Sequence, residues 1–187
     1  MVGTIKLYIG CMYSGKTSEL IKECKKHLAI EKKVMCINYK NDTRYGDDDF
    51  LYSHDLHKIE CVKVDKLADV SDNLIKNIDS IMINEGQFFT DLYHHVKKWC
   101  EEYNKDIIIS GLDGDFKRQR FGTLLDVIPL ADSVHKLSAL CSICKNGTLA
   151  NFSHRLSNEH EQVVIGATNY IAVCRKHYLE LNKDQHI

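Results

Sequence analysis

The sequence predicts an α/β fold: a parallel sheet carrying a phosphate-binding loop and flanked by helices, followed by a small zinc-ribbon or lasso domain. Three observations carry this. Gly10-Cys11-Met12-Tyr13-Ser14-Gly15-Lys16-Thr17 reads G-x-x-x-x-G-K-[ST] directly after an apolar run holding Ile5, Leu7, Tyr8 and Ile9. Segments with strand-like and helix-like hydrophobic period then alternate as far as Gly111. Finally, the composition changes after Val134, where Cys141-x-x-Cys144 is answered by Cys174-x-x-His177.

Taken in order, residues 5–9 form the first strand, and from Thr17 the apolar residues Leu20, Ile21, Cys24 and Leu28 recur at helical spacing. Strand, glycine loop and helix are the setting a phosphate loop needs. The glycines let backbone N–H groups point inward at a polyphosphate, Lys16 reaches its outer phosphates, and Thr17 offers a hydroxyl to Mg²⁺. Residues 34–37 read as a second strand, completing a βαβ unit. Residues 41–55 show no usable period and contain Gly46 and three consecutive acids, Asp47, Asp48 and Asp49. This stretch reads as a mobile loop, its acid run as a solvated surface without a metal.

Leu67, Val70, Leu74, Ile75 and Ile78 fit one helical face, and residues 80–83 form a short β-branched strand running into Asn84-Glu85-Gly86-Gln87. A carboxylate at the end of an apolar strand beside a phosphate loop faces the nucleotide, where it holds Mg²⁺ or takes a proton from the acceptor. A helix carrying Leu92, Val96, Trp99, Cys100 and Tyr103 follows, then a fully apolar strand over 107–109. Residues 112–122 lie next, on the ligand side of the sheet. Phe116 and Phe121 there either wall a pocket for a flat ring or seal the core edge. Lys117, Arg118 and Arg120 have phosphate contact and plain surface solvation as their two readings.

Two chelating pairs at this spacing match a closed tetrahedral Cys₃His zinc site, structural rather than catalytic because all four positions are protein ligands. The redox reading of a lone C-x-x-C needs a thioredoxin-like setting that is missing. Alternating strands over 152–156, 162–165 and 170–173 complete the expected ribbon. At 187 residues the chain suits a nucleotide-binding domain over 1–137 with a zinc-binding domain over 138–187. A net charge of −1 with scattered basic residues argues against a nucleic acid partner. There is no apolar run long enough for a signal peptide or membrane span, so a cytoplasmic location and reduced cysteines are expected.

Together these motifs resemble the type II thymidine kinases, the cellular and poxvirus-like family with a zinc-containing lasso. The resemblance runs nearly end to end. It rests on the loop at 10–17, D-T-R-Y from Asp42, E-G-Q-F-F from Glu85, L-D-G-D-F-K-R from Leu112 with Phe121-Gly122, V-I-G from Val164, and the two chelating pairs. It implies transfer of the γ-phosphoryl group of ATP to the 5′-hydroxyl of thymidine, giving thymidine monophosphate, with Glu85 as general base. It also implies that Asp42 and Arg44 close on the phosphates and metal, with Asn84 and Gln87 beside the nucleotide. Met12, Leu112, Phe116, Phe121 and Tyr170 would enclose the base, and backbone groups of Ser153, Gln162, Val163, Val164, Ile165 and Gly166 would meet its polar edge. A homotetramer and feedback inhibition by thymidine triphosphate are further implications. This chain departs from the family in carrying Asn84 where aspartate is usual, a weaker partner for Mg²⁺, and His177 where animal relatives have cysteine. Two other readings compete: a phosphate-loop kinase with a different acceptor, and a nucleotide-dependent zinc-ribbon module that binds nucleic acid without chemistry.

Overall fold

A computed structural model of the chain describes residues 2–42, 50–52, 58–157, 161–162 and 169–183. Its centre is a six-stranded, all-parallel sheet. In chain order the sheet strands are β1 (Ile5–Gly10), β2 (Val34–Tyr39), β5 (Val62–Val64), β6 (Ser80–Ile83), β7 (Asp106–Leu112) and β8 (Ser133–Leu137), and in space they run β5-β2-β6-β7-β1-β8. Between β2 and β5 lies a small antiparallel hairpin, β3 (Phe50–Tyr52) with β4 (Lys58–Glu60).

The pleat sorts β1 into two cores. Ile5, Leu7 and Ile9 join Ile81, Ile83, Ile107 and Ile109 on one face, under the helices α2 (Asp72–Lys76) and α3 (Leu92–Glu101) and a 3₁₀ segment over Leu124–Leu130. Tyr8, Cys36, Met82 and Ile108 point the other way, onto Leu20, Ile21 and Cys24 of α1 (Lys16–Ala29) and onto Leu51 of the hairpin. A sheet covered on both faces explains the near-continuous apolar runs of its inner strands.

Several elements differ from the sequence reading. The helical face expected from Leu67 to Ile78 is broken into a 3₁₀ turn, Leu67–Asp69, and α2, because Ser71 restarts the helix as its cap, its Oγ accepting from Leu74 N at 3.3 Å. Leu28 keeps the helical period but is 50% exposed. Part of the stretch read as a loop is the strand β3, with Leu51 buried; a three-residue strand offers too few alternations to show a period. The edge strands β5 and β8 are additions to the predicted sheet.

The remaining described residues form a module beside β8. Two short antiparallel pairs make it up, β9 (Ala139–Leu140) with β10 (Leu149–Ala150) and β11 (Phe152–Arg155) with β12 (Tyr170–Val173). Helix α4 (Arg175–Leu181) closes it. The expected strand over 162–165 falls mostly outside the described residues, as do Arg44, Val163, Val164, Ile165, Gly166 and the acid run 47–49.

Candidate active site

Parallel pairing brings the carboxyl ends of the strands to one edge. Gly10 is level with Leu112 of β7 and with Leu137 of β8, and Ile83 of β6 is level with Ile109. The loops that follow therefore meet there, as expected for an open α/β sheet.

The loop at 10–17 turns from β1 into α1. Gly10 has φ 154°, and a Cβ there would lie 2.4 Å from the carbonyl oxygen of Leu137, so only glycine fits. Gly15, in the left-handed region, caps α1 and frees the first helical amides to point into the loop. Buried Lys16 donates from Nζ to the carbonyl oxygen of Cys11 at 2.6 Å, and Ser14 Oγ donates to the same oxygen at 2.8 Å. Tyr13 sits at positive φ and is 37% exposed.

Behind the loop runs a buried chain of amides. Asn84 Oδ1 accepts from Ser110 Oγ at 2.8 Å and from Thr17 Oγ1 at 3.4 Å. Its Nδ2 donates to Asn38 Oδ1 at 3.0 Å, and Asn38 Nδ2 donates to Asp42 Oδ2 at 3.4 Å. Thr17, Asn84 and Asp42, three residues expected at the nucleotide, are thus joined through Asn38, which sequence reasoning missed.

Glu85 follows directly after Asn84. It is 6% exposed and holds the left-handed conformation at φ 54°, a geometry that costs a side chain on the order of 1–2 kcal/mol and persists only where surroundings enforce it. Gln87 is one enforcer: Nε2 donates to Glu85 Oε2 at 2.5 Å, and Oε1 accepts from Leu112 N at 2.9 Å. Gly122 lets the next loop close over this turn, since a Cβ there would meet Gln87 O at 1.9 Å. The carboxylate is therefore fixed to the end of β7 as well as to its own strand.

On the side of the loop 112–122, Phe116 and Phe121 are both buried. Phe121 stands edge-on to Phe88, with centroids 5.3 Å apart, and Phe88 stacks on Tyr39 at 4.8 Å. Half-buried Phe88 was missed as a member of this aromatic wall; its place beside Glu85 was the available signal. Phe116 instead faces the C-terminal module. Of the three basic residues nearby, Lys117 lies over Phe116, Arg118 over Tyr178, and Arg120 pairs with Asp126.

The module is joined to both halves of the site. Met12 N donates to Ser153 Oγ at 2.9 Å, and Cys11 Sγ reaches Ala150 O at 3.4 Å, its side chain packed into the module core. Gln162 Nε2 donates to Asp115 Oδ2 at 2.8 Å, and Tyr178 Oη donates to Phe116 O at 2.7 Å. Tyr170 accepts from Arg155 Nε at 3.0 Å.

Cys141, Cys144, Cys174 and His177 converge, with ligand atoms all within 4.8 Å of one another. His177 Nδ1 lies 3.5, 3.4 and 3.4 Å from the sulfurs of Cys141, Cys144 and Cys174, and the sulfurs of Cys144 and Cys174 are 3.9 Å apart. Zinc–sulfur bonds of about 2.3 Å and zinc–nitrogen bonds of about 2.0 Å in a tetrahedron give edges of roughly 3.5–3.8 Å, so the donor set fits zinc. Burial works against the Cys141 thiolate, but amides of Cys144, Cys174 and Ile143 and the His177 ring outweigh it and bring its pKa to about 6. Glu180 Oε2 lies 3.9 Å from the outer ring nitrogen, Nε2.

A parallel sheet with this loop at the end of β1 and a buried carboxylate at the end of β6, β7 lying between them, is the arrangement of a phosphate-loop nucleotide enzyme. The thymidine kinase family model matches residues 3–178. The chain is 40% identical over 179 residues to the thymidine kinases of vaccinia virus (strain Western Reserve) and variola virus (isolate Human/India/Ind3/1967), covering 95% of this chain and 98% of each relative. It is 38% identical over 184 residues to the thymidine kinase of Oryza sativa subsp. japonica, covering 95% of this chain and 67% of that one. The chain belongs to the thymidine kinase family; its activity is that of a thymidine kinase, an enzyme that uses ATP. No described helix is long and apolar enough to cross a membrane.

Proposed function

We propose that the site transfers the γ-phosphoryl group of ATP to the 5′-hydroxyl of thymidine, giving thymidine monophosphate and ADP, with Glu85 as the general base. The observation that carries this is the Thr17–Asn84 contact of 3.4 Å, which sets the phosphate-loop hydroxyl against the residue next to a buried, conformationally fixed carboxylate. Phosphoryl transfer needs alignment and charge compensation more than covalent chemistry. Lys16 and the amides of residues 10–17 hold the donor phosphates. Glu85 accepts the hydroxyl proton as the acceptor oxygen moves toward phosphorus. Thr17 and Asp42, with Arg44, are the residues to hold Mg²⁺ and the phosphate oxygens; the metal supplies charge neutralisation when bound. Asn84 and Gln87 orient this set from behind.

Met12, Leu112, Phe116 and Phe121 receive the thymine ring. Ser153, Tyr170 and the stretch 162–166 cover it from the module. The chain divides functionally at residue 137 into a phosphate-binding part and a zinc-stapled part, in which Cys141, Cys144, Cys174 and His177 hold a structural ion. A cytoplasmic homotetramer inhibited by thymidine triphosphate in the acceptor site completes the reading, on family resemblance. A panel of thymidine, deoxyuridine, deoxycytidine and deoxyguanosine with ATP, followed by ADP release, tests it. Thymidine should show the highest kcat/KM; a preference for a purine nucleoside or deoxycytidine would contradict the assignment of the acceptor pocket.

A further inference from the structure

We infer that Arg155 is a positioning residue for the acceptor ring, a buried guanidinium that backs Phe116 and ties the returning arm of the C-terminal module to it. Arg155 ends β11, level with Tyr170 at the start of β12, and is 4% exposed. Its guanidinium carbon lies 3.7 Å from the centroid of Phe116, the distance of a face-on stack, and 5.1 Å from that of Tyr170. Nε donates to Tyr170 Oη at 3.0 Å, and the terminal nitrogens donate to Gln162 O at 3.0 Å and to Glu161 O. One planar group thus holds an aromatic face, a phenol and two successive backbone carbonyls.

The consequence falls on Phe116. Its carbonyl is pinned by Tyr178, and its neighbour Asp115 is held by the Gln162 side chain, whose own carbonyl is carried by Arg155. The ring plane is therefore fixed from the module side, and the module arm is registered against that plane. Only arginine does this. Lysine keeps the charge, but its ammonium is a compact point that cannot lie flat on a ring while bonding acceptors in a fork. A slackened Phe116 and a displaced 161–162 arm both weaken grip on a flat base, whereas the donor phosphates, held by the loop at 10–17, are untouched. The inference rests on the reading that Phe116 walls the acceptor pocket.

The test compares Arg155→Lys, Arg155→Gln and Phe116→Ala with the unchanged enzyme, taking KM for thymidine, KM for ATP, kcat and zinc per chain. Arg155→Lys should raise KM for thymidine roughly tenfold, with kcat within about threefold and KM for ATP and zinc content unchanged. Arg155→Gln should do the same or worse on KM for thymidine alone. Phe116→Ala separates the two ideas. If it raises KM for thymidine and neither Arg155 variant does, the inference fails and the pocket stands. If Phe116→Ala leaves KM for thymidine unchanged, the pocket reading falls and the inference with it. Loss of zinc in both Arg155 variants, or kcat falling at constant KM, would also overturn it, since either makes Arg155 a folding or chemical residue instead.

Discussion

Asn84 uses both ends of its amide, and Asp42 decides which way round. A carboxylate only accepts, so the Asn38 nitrogen must face Asp42, the Asn38 oxygen must face Asn84, and the Asn84 nitrogen must donate to it. That leaves Asn84 Oδ1 for Ser110 and Thr17. An aspartate at position 84 would set its carboxylate against the Asn38 oxygen, so the asparagine that looked like a weakened metal partner in the sequence is matched to Asn38. The pairing was not legible because Asn38 lies 46 residues away on a neighbouring strand. Replacing Asn38 with Leu should strand the buried Asn84 nitrogen, at about 1–3 kcal/mol, and loosen Asp42. The expected result is a several-fold rise in the Mg²⁺ concentration giving half-maximal activity; a Mg²⁺ titration superimposing on that of the unchanged enzyme would rule out the relay.

Among the elements, β1, the phosphate loop and α1 were the most legible, because the loop motif fixes where the strand must end and the helix begin. The short and edge elements were not. β8 has mostly exposed residues and β5 has three, so neither carries an apolar run, and the break at Ser71 was hidden under a pattern that kept its period across the gap. Within the β1–α1 unit, Glu23 is a buried anchor. It pairs with Lys26 at 2.6 Å and Lys6 at 3.2 Å and accepts from Tyr8 Oη at 3.3 Å. Burial pushes its carboxyl up, but the hydrogen bonds and charges of Lys26 and Lys6 more than reverse this and bring it to about 2. Its folded pKa lies below its ordinary 4.5, so its contribution is present above pH 4.5 and is lost as pH falls toward 2. Glu23→Gln should therefore lower stability at pH 7 by on the order of 1–3 kcal/mol, with the gap closing as pH drops below the ordinary carboxylate range. Thermal melts across that range check this; a gap independent of pH would refute it.

At the scale of the whole molecule, the C-terminal module is built into the site. The convergence of Cys141, Cys144, Cys174 and His177 was legible from spacing alone, since two chelating pairs must be spaced that way to meet. The contacts that give the module its role were not, because Ser153 on the Met12 amide, Tyr178 on the Phe116 carbonyl and Gln162 on Asp115 join segments far apart in sequence with no periodic signature. These contacts predict an ordered loss when metal is stripped by chelator. KM for thymidine should rise before KM for ATP does, because Phe116 and Asp115 are held from the module, whereas the phosphate loop, which touches the module at Cys11 and Met12, is also fixed by β1 and α1. Metal analysis showing active enzyme without zinc, or equal loss of both affinities, would contradict that coupling.

The central assignment is the buried carboxylate at the end of β6, and replacing it is the most direct test. Glu85→Gln keeps shape and a partner for Gln87 while removing proton acceptance, so kcat with thymidine and ATP should fall by about a hundredfold or more, with both substrates still bound and the melting temperature little changed. Turnover within about threefold of the unchanged enzyme, a loss far below what a general base supplies, would show that the base lies elsewhere.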